Sequence, residues 1–176
     1  MITPPARRRT EGGLAKRRGK RPTRPVDWLH LGALLLLLLA VPAAFQPALS
    51  ADWVNWDDQR NFLENPCFRG LEREHLDWMW TTFHMGHYQP LSWMSLGYDY
   101  TRWEMDAKGY HRTNVALHAL AALLFYQFLR VLFRRVLPGA AGAARTLGAL
   151  AGALLFALHP LRVESVAWIT ERRDVL

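Results

Sequence analysis

Apolar residues along this chain gather into three blocks, separated by stretches dense in charge and aromatic rings. The first, Trp28 to Phe45, is built around the run Leu34 to Leu39 and makes about 27 Å of helix, close to the hydrocarbon thickness of a bilayer. The second, Val115 to Phe133, carries His118, Gln127 and Arg130, polar groups that have to face other helices or reach the headgroups. The third, Leu147 to Leu161, is short, and Gly148 and Gly152 give it a small-xxx-small pattern suited to close helix packing. The pattern predicts an all-α membrane protein with transmembrane helices over 26–48, 113–133 and 147–161, joined by a long outer loop that contains amphipathic interfacial helices.

That outer loop, 49–112, shows a helical repeat in two places. Leu76, Met79, Trp80 and Phe83 recur at i, i+3, i+4, i+7 with Glu72, Arg73 and Asp77 off the stripe. From Leu91 to Trp103, Trp93, Leu96, Tyr100 and Trp103 mostly align, although Gly97 weakens a helix there. The loop also holds six of the eight tryptophans, most of them expected as interfacial anchors.

Charge orients the spans. Nine Lys and Arg fall within residues 1–25 with little to bury, which predicts a disordered cytoplasmic tail against anionic headgroups. The loop at 134–146 is basic through Arg134, Arg135 and Arg145 and belongs on the same side, whereas acidic residues outnumber basic ones in 49–112. Residues 49–112 and 162–176 therefore emerge together on the outer face. The alternative for the first block is a cleaved signal peptide ending near Ala48-Leu49-Ser50. The high pI comes mostly from the tail and no recognition motif accompanies it, so nucleic acid is not an expected partner. The lone Cys67 excludes an internal disulfide. The end at Asp174-Val175-Leu176 has no helix-stop signal and reads as a cut through a larger protein.

Two charged clusters meet on that outer face. Asp57-Asp58, flanked by Trp53 and Trp56, is either a helix cap or a carboxylate pair in which one member takes a hydroxyl proton and the other binds acceptor or metal. Glu164, Arg172, Arg173 and Asp174 sit beside a span, where they incur desolvation unless they pair with each other or meet a charged ligand such as phosphate. His159 before Pro160 marks the end of the third helix and is more simply structural. His84 and His87, with Tyr88, fit sugar or metal, but their spacing does not define a metal site, and the need for a divalent metal stays open.

Trp56-Asp57-Asp58, Tyr88-Gln89-Pro90-Leu91, Tyr110-His111-Arg112-Thr113-Asn114, His118 and the block His159-Pro160 with Glu164, Val166-Ala167, Arg172 and Asp174 resemble the GT-C-type transmembrane O-mannosyltransferases with tetratricopeptide repeats that act on cadherins, and their bacterial relatives. The resemblance runs from Asn55 to Leu176. It implies a larger GT-C-like bundle, a polyprenyl-phosphate sugar as donor, a protein or other hydroxyl acceptor, and inverting transfer. It assigns Asp57 and Asp58 to catalysis, Arg172 and Arg173 to the donor phosphate, and Glu164, His159, Asp174, Trp56 and Tyr88 to supporting or acceptor roles. It further implies a bacterial inner membrane with the site facing the periplasm. Gln89 and Arg173 depart from the pattern expected of the animal members. Two other functions fit the same residues: a membrane scaffold in which Asp57 and Glu164 lie far apart, and a lipid-carrier transporter that needs no base at Asp57.

Overall fold

The computed structural model describes residues 27–176, so the basic tail expected over 1–25 lies outside the described residues. All regular structure among the described residues is helical. Helix α1 (Trp28–Ala44) starts where the Asp27 carboxylate accepts from the His30 amide at 3.1 Å, and it gives way to a 3₁₀ turn at Gln46–Ser50. In the outer segment, α2 (Arg73–Thr81) and α3 (Pro90–Trp103) form over the two amphipathic stretches. Helix α4 (Ala107–Val136) is capped by Asp106 and ends on Arg134 and Arg135, cations at the negative end of its dipole. It is followed by α5 (Gly142–Leu158), α6 (Arg162–Ala167) and α7 (Arg172–Val175).

Helices α1, α4 and α5 pack into one bundle. Ala149, Ala153 and Ala157 of α5 are wholly buried, one per turn, which lets its backbone approach its neighbours closely. At Gly152 a Cβ would come within 2.7 Å of Leu129 Cδ1, so a larger residue there makes that terminal methyl shift. His30 Nδ1 lies 3.0 Å from the Tyr126 hydroxyl, and Arg130 donates to Asp27 at 2.9 Å, which ties α1 to α4 at their shared end. Leu35, Leu39, Leu124, Phe128 and Leu155 point outward with more than half of their surface free. An apolar belt of that extent around a bundle belongs in lipid. The described residues thus form an all-α membrane fold.

Helix α4, at 30 residues, is about 45 Å long, well beyond the hydrocarbon thickness. It begins at Ala107, inside the segment read as outer loop, and its first turns belong to the outer module instead of the bundle. That module has its own core of Phe62, Phe68, Met79, Trp93, Leu96, Tyr110 and Ile169. The tryptophans consequently divide: Trp93 lies in this core with Trp53 and Trp78 packed against it, whereas Trp56 and Trp80 face outward. Gly97 also finds its reason here. A Cβ at that position would sit 2.6 Å from the Gly70 carbonyl oxygen, where α3 crosses the preceding loop. Past α5, residues 162–175 fold back beneath α3 and α4 and close the module from below.

Candidate active site

Of the two adjacent aspartates, Asp58 is completely buried and Asp57 half-buried. Asp58 Oδ2 accepts from the Val54 amide at 2.9 Å, and its Oδ1 accepts from Trp168 Nε1 at 3.0 Å and the Thr170 hydroxyl at 2.6 Å. Asn61 Nδ2 donates to the same Thr170 oxygen at 3.1 Å, and Asn65 Nδ2 donates to the Asn61 carbonyl at 3.2 Å. Three donors on one carboxylate hold it in place. The bonds to Trp168 and Thr170 span more than a hundred residues of sequence, so they fasten the start of the outer loop to the turn at Ile169–Glu171. Trp56 and Trp168 lie beside each other above this link, their ring centres 6.2 Å apart.

Arg172 and Arg173 divide in the same way. Arg172 has no exposed surface and donates to Asp99 Oδ2 at 2.6 Å, Ser95 Oγ at 2.7 Å, the Tyr110 carbonyl at 3.1 Å and Asn114 Oδ1. Asp99 in turn accepts from the Thr113 hydroxyl at 2.7 Å, and Asn114 Nδ2 donates to the Val166 carbonyl at 3.1 Å. Burial pushes the Asp99 carboxyl above its ordinary range, and the Arg172 guanidinium together with the Thr113 hydroxyl pulls it part of the way back. Burial likewise lowers Arg172 from its usual value, opposed by Asp99. The Arg172 guanidinium, expected at a donor phosphate, therefore turns inward and joins α3, α4 and α7. Arg173 keeps a third of its side chain exposed and donates to Glu171 at 2.7 Å, with Asp174 at 4.0 Å.

Asp57 and Arg173 line one polar cleft of about 120 Å³, together with Asn61, His84, Gln89 and Glu171. One wall is the 3₁₀ turn at His84–Gly86, where Met85 adopts φ 48° and Gly86 φ 84°. A left-handed methionine is strained, and the strain fixes how the turn presents its histidines. Asp57-Asp58 and Arg172-Arg173 are thus brought together, one member of each pair holding the wall and the other facing the opening.

The remaining expected residues lie outside the lining of this cleft. Trp56 is exposed at its edge; Tyr88 packs on Phe83 and donates to the Trp80 carbonyl at 3.2 Å. Asp174 accepts from Ser165 at 3.2 Å and links α6 to α7, and Glu164 is exposed. His159 caps α5, its Nδ1 accepting from the Leu161 amide at 3.3 Å. With Arg162 it stands at one end of a larger apolar groove, about 680 Å³, between α4 and α5, which shares no lining residue with the polar cleft. Among the described residues no three His, Cys, Asp or Glu side chains are grouped to hold a metal ion.

The protein O-mannosyl-transferase Tmtc1 of Drosophila melanogaster is 36% identical over 90 residues, 51% of this chain and 9% of that protein. The protein O-mannosyl-transferase F38B6.6 of Caenorhabditis elegans is 26% identical over 156 residues, covering 81% of this chain and 21% of its own. The protein O-mannosyl-transferase tmtc2 of Xenopus laevis is 36% identical over 88 residues, 50% of this chain and 9% of the relative. This chain is related to the TMTC-type protein O-mannosyl-transferases. It spans between 9% and 21% of the length of these relatives. No family profile matches it, and no solved structure does.

The residues that organise the site were only partly visible in the sequence. Asp99 and Ser95 of α3 and Thr170 were missed. Asp99 had a detectable signal, a lone acid on the face of α3 that carries Trp93 and Leu96. Asn114 lay within the motif Tyr110 to Asn114 without an assigned role. Thr170 carried no signal, because only the tertiary fold brings it to Asp58.

Proposed function

We propose that the full-length protein transfers a sugar, mannose by analogy with its relatives' names, from a polyprenyl-phosphate donor to a protein hydroxyl, with inversion at the anomeric carbon. The observation that carries this reading is the cleft in which Asp57 and Arg173, remote in sequence, line one opening. Asp57 is the base. As the acceptor oxygen bonds to the anomeric carbon, its proton passes to the Asp57 carboxylate, and the bond from that carbon to the phosphate oxygen breaks with its electron pair leaving on polyprenyl phosphate. Arg173 has N–H donors beyond the one given to Glu171 and meets the charge growing on the phosphate. Asp58 and Arg172 are positioning residues that hold the two walls at their spacing.

The lipid part of the donor has separate support. The apolar groove between α4 and α5 opens beside Arg162, whose guanidinium lies 4.5 Å over the Phe156 ring, and α6 with the following turn leads from that opening to Thr170 and Glu171 in the cleft. In this reading the bundle extends into a GT-C-like fold with a tetratricopeptide array, and the cleft faces away from the N-terminus, toward the periplasm if the membrane is a bacterial inner one. Metal dependence is a separate question that a chelator control resolves.

The test is transfer from radiolabelled polyprenyl-phosphate mannose by full-length protein in membranes, at matched expression. Asp57→Asn is expected to lower transfer by about 10²- to 10⁴-fold with unchanged thermal stability. Asp58→Asn is expected to lower transfer and stability together, because it loosens the link to Trp168 and Thr170. Normal transfer by Asp57→Asn would remove the base assignment and leave the scaffold and transporter readings.

A further inference from the structure

His84 and Gln89, on opposite sides of the strained turn, line the cleft that holds Asp57, yet neither has a settled hydrogen-bond partner there. His84 Nε2 and Gln89 Oε1 are both shielded from solvent, and neither meets a donor or acceptor in the protein. Polar atoms in that state cost free energy unless something completes them. The His84 ring is held in place: Trp78 and Trp93 meet it edge-on, with ring centres at 5.7 and 5.5 Å. Gln89 is the N-cap of α3, immediately before Pro90, and its side chain makes no cap hydrogen bond. Both side chains line the cleft without local partners.

The charges around them select the chemical class of the missing partner. Arg173, paired with Glu171, is the cation on these walls and is taken by the phosphate, while Asp57 and Glu171 disfavour a second anion beside the Gln89 oxygen, itself an acceptor. A metal ion is disfavoured because no three ligating side chains are grouped among the described residues. What fits is a neutral group that donates to Gln89 Oε1 and accepts from His84 in its Nε2–H tautomer, and a hydroxyl does both. We infer that His84 and Gln89 form a hydroxyl-binding subsite that recognises the sugar ring of the donor and sets which hexose is accepted. This rests on the transferase reading above and names its specificity element.

The test measures binding separately from transfer. Full-length protein in detergent is titrated with polyprenyl-phosphate mannose and with bare polyprenyl phosphate. Wild type is expected to prefer the mannosylated carrier by about threefold to tenfold, the worth of one or two hydrogen bonds. His84→Phe and Gln89→Met are each expected to abolish that preference while binding the bare carrier as before, and Asp57→Asn is expected to retain it. If wild type shows no preference, if the preference survives both substitutions, or if they weaken both carriers equally, the subsite is overturned. Should either variant unfold in a thermal melt, wild type is titrated with donors deoxygenated at each ring position in turn. Loss of the preference at one position supports the subsite, and an even response across positions overturns it. Transfer by Asp57→Asn, measured in parallel, reports on the catalytic reading independently.

Discussion

The bundle and the outer module of this chain are held together by opposite means. In the bundle, helices approach through Ala149, Gly152, Ala153 and Ala157, no buried charge is needed, and the outward faces are leucine and phenylalanine. In the outer module, large aromatic side chains fill the core, and a fully buried ion pair between Arg172 and Asp99 joins three helices at its base. Lipid explains the difference. Within the hydrocarbon region there is no hydrophobic gain from bringing helices together, so close packing of small residues is what remains. Outside it, burial of aromatic surface drives folding, and polar groups can specify one arrangement provided each of them is satisfied.

The contrast can be broken most strongly at Arg172. Arg172→Met leaves Asp99 buried without its partner and is expected to destabilise the outer module by about 3–5 kcal/mol. Hydrogen exchange should then rise in α2, α3 and the Ile169–Glu171 turn while α1 and α5 stay protected. Uniform loss of protection across both regions would mean that they do not unfold separately. A smaller effect in the opposite place is expected from Gly152→Leu, which overpacks the contact with Leu129 at a cost of about 1–3 kcal/mol. Here α4 and α5 should loosen while the cleft keeps its geometry, read as an unchanged preference for the mannosylated over the bare carrier, although affinity for both carriers should fall because Gly152 and Leu129 line the apolar groove. The smallest effect sharpens the boundary of the site: Glu164→Ala removes an exposed side chain outside the cleft lining and should shift stability by no more than about 0.5 kcal/mol. Loss of transfer in that variant would extend the site along α6.

The same contrast decides what could be read from the sequence. The bundle was legible because hydropathy and small-residue spacing are local patterns, and so were α2 and α3, whose apolar stripes repeat at helical period. The assembly of residues 53–58 with 168–173 followed from the topology of the spans together with the resemblance. What stayed hidden was the role of each member of a doublet. Asp57 and Asp58, or Arg172 and Arg173, are chemically identical neighbours, and which one turns inward depends on donors and acceptors far away in sequence, Thr170 for one pair and Asp99 and Asn114 for the other. Gly97 misled for a related reason: its intrinsic propensity argues against a helix, while its value lies in a crossing that only the tertiary structure creates.

The bond from Asp58 to Thr170 also sets a timetable for biogenesis. Thr170 lies 112 residues after Asp58, so a ribosome adding roughly 5–20 residues per second needs about 6–22 s to reach it, and in that interval α2 to α6 are made. Until Thr170 and Arg172 have been made, Phe62, Trp93 and their neighbours wait without the segment that closes their core. The newborn chain therefore passes through a stage in which a sticky aromatic surface has no cover.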